Sequence, residues 1–112
     1  MSQIAEVLLV LTTVGSRDAA DTLAAAMVEQ RLAACVHIQA IDSVYRWKGQ
    51  VQNDPEWRLL FKTTAARYAT VEAALRAAHP YELPAILAWP CSHGLQAFAD
   101  WVDAETRPVP DA

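Results

Sequence analysis

Glycine is scarce, with three residues in 112, and Gly15, Gly49 and Gly94 stand too far apart to build a phosphate-cradling loop. Cysteine is scarcer still. Cys35 and Cys91 are the only two, and neither belongs to a C-x-x-C pair, which excludes a zinc ribbon and a disulfide framework. A reducing, cytoplasmic setting is expected. There is no run of Lys or Arg, and 13 acidic residues against 9 basic ones give a formal charge of −4. That balance argues against nucleic acid and against an anionic membrane surface as partners. No stretch approaches the roughly 20 apolar residues of a membrane-spanning helix. Glu6 and the absence of a basic region near the N-terminus argue against a signal peptide, and the apolar run Val7 to Leu11 is too short to be its core.

What is present is apolar: 54% of the residues are hydrophobic, enough in a chain of this length for one domain covering residues 1–112. Ile4 to Thr13 reads as a strand apolar on both faces and so central in a sheet. Ser16 is a fair N-cap, and Ala20, Leu23, Ala24, Met27 and Val28 recur at helical spacing to about Arg31. Ala34 to Trp47 is extended but changes phase: Val36 and Ile38 share one parity, Ile41, Tyr45 and Trp47 the other. A bulge near Ala40 to Asp42 is therefore expected. Lys48-Gly49 offers a hairpin turn, and the returning strand from Val51 is expected to weaken around Asn53 to Glu56 because of Pro55. Thr63 and Thr64 are positioned to cap a second helix, carried by Tyr68, Val71, Leu75 and Ala78. Ala85 to Trp89 makes a last strand, and Leu95, Phe98, Trp101 and Val102 stripe a final helix before an irregular tail from about Thr106.

The order is β-α-β-β-α-β plus a C-terminal helix, an α+β, ferredoxin-like arrangement in which an antiparallel sheet carries both helices on one face. The other face is left with large apolar side chains such as Leu60, each worth roughly 1.5–3 kcal/mol on burial, and an oligomer is expected.

The chemically densest stretch is His79-Pro80-Tyr81-Glu82-Leu83-Pro84. The prolines push His79 and Leu83 toward extended geometry, which makes the connector stiff. His79 could ligate a metal with Glu82 supplying an oxygen, or it could simply cap the helix, its ring beside the terminal carbonyls. Tyr45, Arg46, Trp47 and Lys62, with Tyr81 and Glu82, are candidates to line a cleft between subunits, Lys62 opposite Glu82. The alternative is that they are interface packing and a structural ion pair. Cys91 and His93 at i, i+2 suit a soft metal, and Cys35 is a further candidate, although a thiol between Ala34 and Val36 reads more simply as buried packing. His37 reads as a solvent-facing strand residue.

Four strings in register, Leu32-Ala33-Ala34-Cys35-Val36, Tyr45-Arg46-Trp47-Lys48-Gly49, Phe61-Lys62-Thr63 and His79 to Pro84, resemble the CutA family of divalent-cation tolerance proteins, over about Val7 to Trp101. The resemblance implies a tight homotrimer similar in architecture to PII signalling proteins, binding copper or another divalent metal ion. In some members a Cys at the position of Thr12 and a second His at the position of Ala78 join the His matching His79. Here only His79 carries over. A trimeric tolerance protein without catalytic turnover is the expectation. The alternative is a PII-like sensor of a small anionic metabolite or nucleotide, and an enzyme pairing Cys35 or Ser92 with His79 or His93 has no acyl- or phosphoryl-transfer signature around it.

Overall fold

The computed structural model describes residues 6–109, so Ile4 and the tail from Pro110 lie outside it. Seven main elements follow in order: β1 (Val7–Val14), α1 (Arg17–Glu29), β2 (Cys35–Trp47), β3 (Gln50–Thr64), α2 (Tyr68–Ala78), β4 (Leu87–Pro90) and α3 (Gln96–Glu105). The strands form one antiparallel sheet in the order β2-β3-β1-β4, the ferredoxin-like order expected from the sequence. Alternation along the strands puts Val10, Leu59 and Phe61 on the face covered by α1 and α2. There they pack with Leu23, Met27, Val71 and Leu75 in the core.

Helix α1 begins where Ser16 Oγ accepts the Ala19 N–H at 3.1 Å. It stops before Arg31, which takes a left-handed φ of 59°. The Arg31 guanidinium then reaches α3 and donates to the carbonyls of Ala104 (2.7 Å) and Arg107 (2.9 Å). These are acceptors that a helix C-terminus otherwise leaves to solvent.

Two expectations for the hairpin are corrected. β2 and β3 pair in constant register from Cys35↔Lys62 to Trp47↔Gln50, with no bulge at Ala40 to Asp42, and Pro55 lies within β3 opposite Asp42. Both have one cause. β1 pairs with β3 only as far as Val14↔Trp57, so beyond that point the hairpin is a two-stranded ribbon with no β1 beside it. Apolar parity switches because the covered face switches, not because the ladder breaks. In the ribbon one side of β3 has no strand, and a missing N–H there costs no ladder bond. Lys48 (φ 49°) and Gly49 (φ 79°) make the two-residue turn, both left-handed as a type I′ hairpin requires.

Thr63 and Thr64 do not cap α2 either, although Thr64 stands at the N-cap position of the 3-10 turn before it. Both remain in β3, a 3-10 turn at Ala65–Arg67 intervenes, and neither helical segment has a side-chain N-cap.

The sheet's second face carries Leu9, Leu11, Leu60, Leu87 and Trp89. Helix α3 covers only its end, through Ala99 and Val102 on Val7. Leu87 is 64% exposed and Trp89 41%.

Candidate functional site

Pro80 ends α2 as its chemistry dictates: His79 has φ −73° and ψ 135°, and its N–H closes the last turn on the Leu75 carbonyl. The imidazole does not lie on the helix carbonyls. It turns under β1, where Nε2 lies 3.0 Å from both Thr12 Oγ1 and the Thr13 carbonyl oxygen, while Nδ1 accepts the Tyr81 N–H at 3.1 Å. A carbonyl can only accept and an amide N–H only donate, so the proton is on Nε2 and the ring is neutral. Burial pushes the His79 pKa below the ordinary histidine value, outweighing the opposing effects of the Thr13 carbonyl and the Glu56 charge.

The sign of the linkage follows. A depressed pKa means the unfolded chain takes up the proton first, so the contribution of His79 to stability is fully present above about pH 6.5 and is lost as pH falls below it. The difference in urea midpoint between the wild type and His79→Gln is expected to shrink between pH 7.5 and pH 5. A difference constant with pH would mean that the ring is solvated.

The connector that His79 anchors carries Tyr81 across the end of β1, close enough that a Cβ on Gly15 would sit 3.3 Å from the phenol oxygen. The Tyr81 hydroxyl donates to Glu56 Oε2 at 2.7 Å, and on the ribbon the Tyr45 hydroxyl donates to Asp54 Oδ2 at 2.8 Å. Burial and then the Glu56 carboxylate push the Tyr81 hydroxyl well above its ordinary pKa, and the hydrogen bond to Asp54 raises that of Tyr45, so both remain donors.

Between the ribbon and the segment 80–87 lies an open cleft of about 1090 Å³. Its aromatic walls are Tyr45, Trp47 and Tyr81, its acids are Asp42, Glu56 and Glu82, and no Lys or Arg lines it. At its mouth the Lys48 ammonium stands 3.8 Å from Glu82 Oε2 and 5.6 Å from the centre of the Trp47 ring.

Tyr45, Trp47, Tyr81 and Glu82 are therefore brought together as the sequence suggested, and two residues are not. Arg46 is not part of the lining, although Asp42 and Val44, which share its parity on β2, are. Lys62 is six residues along β3 from Glu56, about 20 Å at strand spacing, and so does not face the Glu82 of its own chain. Its ammonium lies 3.5 Å from His37 Nε2 and 5.3 Å from the centre of the Phe98 ring. Glu82 is surface-exposed and engaged with Lys48, whereas His79 is buried with both nitrogens occupied, so the two do not form a ligand pair. Cys35 and Cys91 are free and half-buried. His93 Nδ1 lies 3.0 Å from Ser92 Oγ on the surface. No three His, Cys, Asp or Glu side chains converge as a metal cluster among the described residues. Asp42, Asp54 and Glu56 went unrecognised in the sequence. Only the β2–β3 register and the Tyr81 contact, 25 residues away from Glu56, give them a role.

The sequence profile of the CutA1 family, described as divalent ion tolerance protein, matches residues 8–105. A relative from Thermus thermophilus described as the divalent-cation tolerance protein CutA is 43% identical over 99 residues, 88% of this chain and 96% of its own. Among solved structures, CutA from Synechococcus elongatus superposes with a TM-score of 0.90 at 37% identity, covering 95% of each chain. The Archaeoglobus fulgidus protein described as the periplasmic divalent cation tolerance protein CutA does so with 0.87 at 33%, covering 90% of this chain and 99% of that one.

Proposed function

The chain belongs to the CutA1 divalent ion tolerance family, and from that membership we propose that it is a homotrimeric divalent-cation tolerance protein whose cation-facing surface is the acidic cleft. The observation that carries this reading is the lining itself, with three carboxylates and no basic side chain. An anionic metabolite or nucleotide in the same cleft would meet like charge, so the PII-like sensor reading has no support there.

Copper fits this chain poorly at the position the family resemblance points to. His79 has one lone pair, on Nδ1, and the Tyr81 N–H holds it; Thr12 offers a hydroxyl rather than a thiolate, and Ala78 offers no ligand. The cleft's oxygen donors suit a hard divalent ion that keeps most of its waters, because the carboxylates do not converge. The apolar open face of the sheet supports the trimer, and two free cysteines accord with a reducing, cytoplasmic setting. No step of catalysis is assigned to the site.

Calorimetric titration tests the reading. Mn(II) is expected to bind saturably with a dissociation constant of about 1 mM, weakened severalfold by Glu82→Gln. Cu(II) is expected to show no component that His79→Gln removes. If Mn(II) gave no saturable heat up to about 50 mM while Cu(II) bound tightly through His79, the cleft would lose its place to the buried imidazole.

A further inference from the structure

A metal ion uses carboxylates and water and has little use for aromatic faces, yet this cleft has three aromatic walls, Tyr45, Trp47 and Tyr81, around its acids. A ring face attracts cations that shed water readily, above all organic ammonium groups. The chain already places one at the mouth of the cleft, outside the lining. The Lys48 ammonium lies over the Trp47 ring with the Glu82 carboxylate beside it, in the pairing of aromatic face and carboxylate that recognises an alkylammonium. It does so from a costly position: Lys48 is left-handed at φ 49° in a turn where Asn, Asp or Gly is the usual occupant. A residue that departs from local preference is a pointer to function, and what lysine brings that asparagine does not is the ammonium.

The remaining volume, about 1090 Å³, is more than a lone ion needs, and Val44, Leu83 and Ile86 give it apolar wall for an aliphatic stem. We infer that the cleft between the ribbon and the segment 80–87 binds an alkylammonium group on an aliphatic stem, either a free di- or polyamine or a lysine side chain of another protein, with Lys48 acting as the built-in occupant that the ligand displaces from Trp47 and Glu82. The inference goes beyond the metal reading and rests only on the cleft being a site for cations.

The test is an amide NMR titration of the intact protein with 1,4-diaminobutane dihydrochloride at constant ionic strength. Parallel arms use N-acetyl-lysine methylamide and Mn(II), the last read by paramagnetic broadening. Saturating shifts confined to residues 42–47 and 81–87 are expected. Lys48→Asn, which suits the turn and removes the competitor, should tighten binding about threefold. Trp47→Leu should weaken it about threefold, the size of one exposed cation–π contact. The tighter of the two amine probes identifies the source as free amine or protein lysine. Shifts that do not saturate with either amine, or that are unchanged in Trp47→Leu, overturn the inference. Mn(II) broadening of the same amides without amine binding would leave only the metal reading, and amine binding without Mn(II) broadening would leave only this one.

Discussion

Replacing His79 with alanine is expected to lower the unfolding free energy by about 2–4 kcal/mol, through the loss of one buried and two part-buried hydrogen bonds and a cavity under β1. The imidazole holds the Tyr81 N–H, the Thr13 carbonyl and the Thr12 hydroxyl together, and so ties α2, β1 and the connector at one point. Urea denaturation followed by Trp fluorescence measures the loss. The effect should extend to the cleft, because Tyr81 reaches Glu56 only while its backbone is held by the ring. The Tyr81 side-chain NMR signals should therefore shift in His79→Ala even in buffer without denaturant. A loss below about 0.5 kcal/mol would place the ring outside the fold's supporting network.

The second large effect concerns assembly. Leu60 lies on the open face, paired across β3 with Leu11 on one side and His37 on the other. Leu60→Asp is expected to weaken association at least a thousandfold, since an unpaired carboxylate taken out of water costs several kcal/mol in each copy. Sedimentation at about 10 μM, a concentration well within reach of specific interfaces, is expected to report three chains for the wild type and one for the variant. Val28→Asp, on the exposed side of α1, is the control and should leave the mass unchanged. Equal masses for wild type and Leu60→Asp would mean that the open face is not where the copies meet.

The fold was readable because its signals are local. Helix periodicity, the Ser16 cap, the Lys48-Gly49 turn and the stop at Pro80 each act within a few residues, and each appears where the sequence put it. The hairpin was misread at Ala40 to Asp42 because parity was taken to report a strand's own geometry. It reports which face is covered, and that depends on where β1 ends, some 40 residues away in pairing partner. The site divides in the same way. Tyr45, Trp47, Tyr81 and Glu82 stood out by chemical type and do meet. Arg46 lies outside the lining, and strand parity does not foretell it, since Asp42 and Val44 share its parity and line the cleft. Glu56 was missed on register, a property of two strands together that no single stretch encodes, and register also keeps Lys62 away from the Glu82 of its own chain. The partners of His79 were likewise invisible, since Thr12 is 67 residues away and joins it only once α2 lies on β1.

The ribbon beyond the Val14↔Trp57 pair has a further consequence. About seven residues of each strand extend there with no third strand beside them, and a two-stranded hairpin in water is marginal on its own. In the trimer we propose, neighbouring copies would supply what the third strand does not. One wall of the cleft is built on this arm, at residues 42–47. On that proposal, the dilution at which copies separate would also be the dilution at which the cavity loses its shape, without any change in the residues that form it. Protein concentration would then be a control variable for ligand capture, and a cell that makes less of this chain would lose binding more steeply than in proportion to the copies lost.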